Sequence, residues 1–170
     1  MGLGVFLLVA AALMNWGYTF ADKSVTDQLA NQKISFPEAN TSGLTSLPEA
    51  DRAVIAQYAG MQLTTGKQAK AYADKYIAVH LQGIAGGKTY SQVSELSRAN
   101  PTDAALAGQV QTLFRGETLR GMLGFAFAFW QIGQIAMYGT YACLIGGILF
   151  LILSIMGFMH LRRTPEDATV

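Results

Sequence analysis

Few residues in this chain have both the type and the spacing that chemistry needs. His80 is the first candidate, since an imidazole can ligate a metal or haem or carry a proton near neutral pH. It falls on the apolar side of a helical pattern with Tyr76 one turn earlier, so an extracytoplasmic solute- or metal-binding module centred on His80 and Tyr76 is one expectation. The competing expectation is structural: a histidine hydrogen-bonded to a neighbouring carbonyl. The one other histidine, His160, lies beyond a long apolar stretch, and no Cys-x-x-Cys-His sequence exists for covalent haem. Gly83-Ile84-Ala85-Gly86-Gly87-Lys88-Thr89 resembles a phosphate loop in composition only. That motif needs four residues between its first glycine and Gly-Lys-Thr, and three stand here. A helix end at Gly86-Gly87 followed by a cap at Thr89 accounts for the same residues. Cys143 is the single cysteine, so it can form neither an intrachain disulfide nor a cysteine metal cluster. Glu49 and Asp51 stand at a helix start, where they suit the helix dipole. Paired carboxylates, a nucleophile elbow and a Ser/His/Asp arrangement are all missing. The sequence therefore predicts a protein that is not an enzyme, with no catalytic residues, no metal and no cofactor.

The elements that would carry these residues are dominated by one stretch. From Gly121 to Met159 there is no charged residue, a run of 39 positions. As one helix this is about 58 Å long, nearly twice the ~30 Å of a bilayer's hydrocarbon core. It ends at Phe158-Met159-His160-Leu161-Arg162-Arg163, and the arginine pair marks that end as cytoplasmic. A second apolar stretch, 1–20, is long enough to cross a bilayer. A cleaved signal peptide is the rival, with Ala10-Ala11-Ala12 as possible cleavage residues, but a basic n-region is missing. Trp16, Tyr18 and Phe20 are followed at once by Asp22 and Lys23, an aromatic anchor at the outer interface.

The expected architecture is an all-α, two-pass plasma-membrane protein. Residues 1–20 form the first crossing, and 21–118 form a small, mostly helical extracytoplasmic domain in which 21–45 is an irregular connector. Residues 119–161 form one long apolar helix that crosses the bilayer over about 138–160, and 162–170 form a cytoplasmic tail. Both termini are then cytoplasmic. A hairpin turning near Gly133 or Gly139, giving three crossings, is the rival. At 51% hydrophobic, 14% charged and a net charge of +1, the chain has no basic field for nucleic acid. The stretch 21–118 is neutral, with nine Lys/Arg against nine Asp/Glu.

Within it, Ser46-Leu47-Pro48-Glu49 has the form of a capping box opening a helix to about Ala59. Thr65 or Gly66 opens a clearer helix, in which Ala69, Tyr72, Ala73, Tyr76, Ile77, His80, Leu81 and Ile84 recur at three and four. Thr89 caps a third helix to about Arg98, and Asn100-Pro101 opens a fourth, with Asp103 in its first turn. No stop signal separates that helix from the apolar run. A short extended piece is expected at Lys33-Ile34-Ser35-Phe36, and Asn40-Thr41-Ser42 has the form of a glycosylation sequon.

Several of these segments, taken together, have a counterpart. Ala69-Lys70-Ala71-Tyr72-Ala73-Asp74, His80-Leu81, Gly87-Lys88-Thr89-Tyr90, Phe114-Arg115-Gly116 and Leu119-Arg120-Gly121, set in a two-crossing frame, resemble a group of uncharacterised actinobacterial membrane proteins. Some of these carry the label ring-opening dioxygenase, for which this chain has no iron-ligand set. The resemblance implies a bacterial plasma-membrane setting.

Surplus apolar length points to contacts. If the crossing is 138–160, the stretch 121–137 stands outside the hydrocarbon, and its Phe125, Phe127, Phe129 and Trp130 must be covered. Each large apolar side chain fully buried is worth about 1.5–3 kcal/mol. Gly121, Gly124 and Ala128 share one helix face and Gly139, Ala142 and Gly146 another, which suits close helix–helix approach. Trp16, Tyr18, Trp130, Tyr138 and Tyr141 are the expected interface anchors. The leading functional expectation is a non-catalytic accessory or assembly subunit of a larger respiratory or envelope complex. A self-assembling ring or pore of identical chains is the alternative. The expected partners are the lipid bilayer, other membrane subunits or copies of this chain. Thr140 and Ser154 are the only hydroxyls from Gly139 to Met159 apart from Tyr141, which argues against a wide aqueous channel.

Overall fold

In the computed structural model, which describes residues 1–163, the chain forms seven α-helices. They are α1 (Gly2–Asn31), α2 (Ser42–Thr45), α3 (Glu49–Ala56), α4 (Gly66–Ala71), α5 (Ala78–Ala85), α6 (Tyr90–Ala99) and α7 (Ala104–Arg163), with a π-helical turn, Tyr72–Ile77, joining α4 to α5. Among the described residues the fold is all-helical, apart from one antiparallel bridge between Ser35 and Gln62. Two helices, α1 and α7, are long and apolar enough to cross a membrane. The tail residues 164–170 lie outside the described residues.

The chain divides into two units, one made of Met1–Ala21 with α7 from Ile132 onward, the other of Asp22–Gln131. The second unit is built around a core of large apolar side chains. Val25 and Leu29 of α1, Phe36, Leu44, Leu47, Ile55, Leu63, Ile77, Leu81, Val93, and Leu113 and Leu123 of α7 form one buried apolar cluster. Its helices start where polar side chains satisfy free backbone N–H groups. Thr65 and Gln68 form a capping box on α4, and Thr89 and Gln92 form another on α6. Asp103 Oδ1 accepts from the N–H groups of Ala105 and Leu106 at the start of α7. Gly86, at φ +59°, ends α5 in the left-handed region that glycine adopts without strain.

Several expectations need correction. The stretch 21–45, expected as an irregular connector, is helical as far as Asn31. Ala21, Val25 and Leu29 recur at four and are buried, so tertiary packing extends the helix past the charged Asp22, Lys23 and Asp27. The capping box expected at Ser46–Glu49 is not formed: Ser46 ends α2, and Pro48 precedes α3 without a side-chain cap. Pro101 lies in a turn before α7 rather than at its first position, and Asp103 is the cap. The extended piece at Lys33–Phe36 does pair, with Phe36 N–H donating to Met61 O (2.9 Å) and Leu63 N–H donating to Ile34 O (2.8 Å). The helix from Ala104 runs without a break to Arg163, so there is no hairpin at Gly133 or Gly139.

The first unit packs differently. Among the described residues its buried ones are Gly4, Ala11, Ala21, Gly133 and Gly147, all of them small. A Cβ at Gly147 would lie 3.0 Å from Leu8 Cδ2 and 3.1 Å from the Gly4 carbonyl oxygen, and one at Gly133 would lie 3.0 Å from Ala21 Cβ. The two antiparallel helices therefore meet backbone to backbone, while Leu3, Phe6, Leu13, Ile135, Ile145 and Leu149 face outward.

Candidate functional site

Two places in the second unit present themselves, and the first is the helix pair carrying His80. The π-helical turn keeps Tyr72, Tyr76 and His80 in a column, with ring centroids 4.8 Å apart for Tyr72–Tyr76 and 4.5 Å for Tyr76–His80. Phe36 continues the column inward, 5.2 Å from Tyr72 and edge-on to it. Burial, and then the neighbouring Tyr76, raise the Tyr72 phenol above its ordinary pKa of 10.0. His80 Nδ1 lies 2.8 Å from the Tyr76 carbonyl oxygen. A carbonyl only accepts, so Nδ1 carries the proton and, in the neutral ring, Nε2 is an acceptor. His80 is exposed and edges an open groove of about 470 Å³ lined by Ser46, Leu47, Pro48, Val79, Gly83 and Ile84. Among the described residues no three His, Cys, Asp or Glu side chains are grouped to hold a metal. The geometry gives His80 the carbonyl bond that the structural expectation required.

The second place is α7 between Leu113 and Gln131. One face belongs to the core: Leu113 and Leu123 are buried, and Leu119, Ala126 and Trp130 pack against the cluster. The packing there is close. A Cβ at Gly116 would lie 2.5 Å from Leu81 Cδ2, and one at Gly66 of α4 would lie 2.3 Å from Trp130 Cβ. Arg120 fastens α7 to the π-helical turn, donating from Nε to the Ala73 carbonyl at 3.2 Å while Nη1 bonds both carboxylate oxygens of Glu117. The chain's own helices thus cover one side of 121–131.

The other side of that segment is open. Phe125 is 78% exposed and Met122 60%. Nothing stands within 4 Å of a Cβ placed at Gly121 or Gly124, and Ala128 is exposed. Gly121, Gly124 and Ala128 therefore flank Phe125 on a face that the chain itself does not use.

The other expected contact residues fall in the first unit. Gly139 and Gly146 face α1, the first against Met14 Sδ and the second against Leu7 Cδ1, whereas Ala142 is exposed. The buried glycines of α7 in this unit are Gly133 and Gly147, which were not among the expected contact residues. Their fourteen-residue separation, matched by Gly4 and Ala11 seven apart on α1, was the signal available. Trp16, Tyr138 and Tyr141 present their rings outward, Tyr18 is half-buried with its carbonyl oxygen near Gly133, and Trp130 is packed on Gly66.

The chain matches no known protein family, no curated protein and no solved structure.

Proposed function

We propose that this chain is a non-catalytic integral membrane protein that serves as an accessory or assembly subunit of a larger membrane complex. In this reading the first unit spans the bilayer as a two-helix hairpin. The reversal of burial supports it, since small residues inside and large apolar residues outside suit a helix pair whose solvent is lipid. Arg162 and Arg163 would hold the C-terminal end, and with it the N-terminus, on the cytoplasmic side, leaving the second unit outside. Ala21 precedes Asp22 and Lys23 and packs on Gly133, so the crossing on α7 would begin near Gly133, earlier than position 138.

The observation that carries the functional reading is the open face of Met122 and Phe125, flanked by Gly121, Gly124 and Ala128. A domain that stands in water has a strong reason to bury a phenylalanine, yet this one presents it beside glycines that let another backbone approach. An accessory subunit needs such a surface, and nothing in the column of Tyr72, Tyr76 and His80 supplies a catalytic alternative. Native mass spectrometry after gentle extraction from the source membrane tests the reading. Unlike chains in fixed ratio support it. Several identical chains would replace it with the self-assembling alternative, and a bare monomer would remove both.

A further inference from the structure

The end of the second unit where the chain leaves at Gln131 carries a second set of residues, distinct from the open face. The turn that starts α4 is pressed onto Trp130, with no room at Gly66 for even one carbon. From there α4 runs back along α7, so that Lys70 Nζ stands 5.1 Å above the Phe127 ring. Phe127 and Trp130 are 6.0 Å apart, centroid to centroid. Lys70 shares its charge with Asp74 at 2.7 Å. Lys67, three residues earlier, is exposed, and among the described residues it makes no salt bridge.

Lys67 directly follows the Gly66 that packs on Trp130, and an indole with an exposed lysine on a long apolar stem nearby in the chain suits the boundary between acyl chains and phosphate. We propose that Lys67 and Lys70, set against Phe127 and Trp130, form a docking surface for the headgroup of an anionic phospholipid. The inference rests on the two-crossing reading, which puts residues just past Gln131 at the edge of the hydrocarbon. Lys67 supplies the uncompensated charge. Trp130 and Phe127 fix the depth at which it acts, and the close fit of Gly66 on Trp130 fixes the turn that presents it. Lys23 is paired with Asp27, so it adds little.

Trp130 can report on this directly. The chain has two tryptophans, so Trp16→Phe leaves Trp130 alone. The full chain in that background is reconstituted into mixed phosphatidylcholine and phosphatidylglycerol vesicles, with one lipid or the other brominated on its acyl chains. Bromine quenches only a nearby indole, so the ratio of the two quenching curves reads the lipid composition beside Trp130. The expected result is an enrichment of phosphatidylglycerol of about fivefold, the effect of one free lysine at a charged surface. The pair K67Q/K70Q abolishes the preference, and K67R/K70R retains it. Equal quenching by the two lipids in the parent, or an undiminished preference in K67Q/K70Q with unchanged helix content, would overturn the inference. Quenching by neither lipid would instead remove the two-crossing reading on which it rests.

Discussion

In the second unit Leu113 and Leu123 of α7 are each 1% exposed, and the core is made largely of large apolar side chains. In the first unit, further along the same helix, every buried residue is glycine or alanine and Ile145 is 68% exposed. One continuous helix thus follows two opposite packing rules. In water, burying a leucine removes about 1.5–3 kcal/mol worth of apolar surface from contact with solvent. Between two helices in lipid that gain disappears, and what remains is close van der Waals approach, which small residues permit. The difference is the one expected if the first unit stands in lipid and the second in water, as proposed above. It also draws attention to Met122 and Phe125, which lie in the unit with the large apolar core yet are exposed like residues of the other.

Five substitutions test this contrast. Leu113→Ala should have the largest effect, lowering the unfolding free energy of the second unit by about 2–5 kcal/mol in chemical denaturation. Ile145→Ala, the control from the first unit, should change it by less than about 0.5 kcal/mol. Equal losses would mean that the two units are packed alike. Next comes Gly147→Leu, which forces a side chain against Leu8 and the Gly4 carbonyl and should cost about 1–3 kcal/mol of hairpin stability, read as a lower melting temperature in detergent. The same change at Gly124 meets open space and should leave the isolated chain as stable while weakening any co-purifying partner. A smaller loss of about 1 kcal/mol is expected for Thr65→Ala, which removes the Oγ1 acceptor for Gln68 N–H at 3.2 Å.

The smallest effect is one of pH. Tyr72 holds its proton more tightly in the fold than in the unfolded chain, whose value is 10.0. Its contribution is therefore complete below about pH 10 and is lost as pH rises through the folded value. Tyr72→Phe should remove that component of alkaline unfolding and leave stability at neutral pH nearly unchanged. An alkaline melting series on both proteins checks the sign.

Much of this was legible in the sequence where local chemistry decides structure. The caps at Thr65 and Thr89 and the stop at Gly86 are set by nearest neighbours, and so is the uninterrupted helix after Asp103. What was hidden depends on partners distant in sequence. The extension of α1 to Asn31 exists because Val25 and Leu29 find a core built from later helices. The π-helical turn at Tyr72–Ile77 inserts one residue into a pattern that reads as ordinary α-helix. Of the contact residues, Gly139 and Gly146 were identifiable as small residues on a helix face, but the register that buries Gly133 and Gly147 is set by α1. The open face at Gly121, Gly124 and Ala128 was visible as a stripe. That Phe125 stands exposed at its centre was not, because exposure is a property of what the other helices leave uncovered.

The account turns on Phe125, and a photoreactive residue placed there tests it most directly. A benzophenone amino acid replaces Phe125 in the full chain, expressed in its source cells and irradiated in intact membranes. The account predicts an adduct between this chain and an unlike polypeptide, formed at position 125 and not at the core position Leu123. Adducts with a second copy of the chain alone, or with lipid alone, would contradict it.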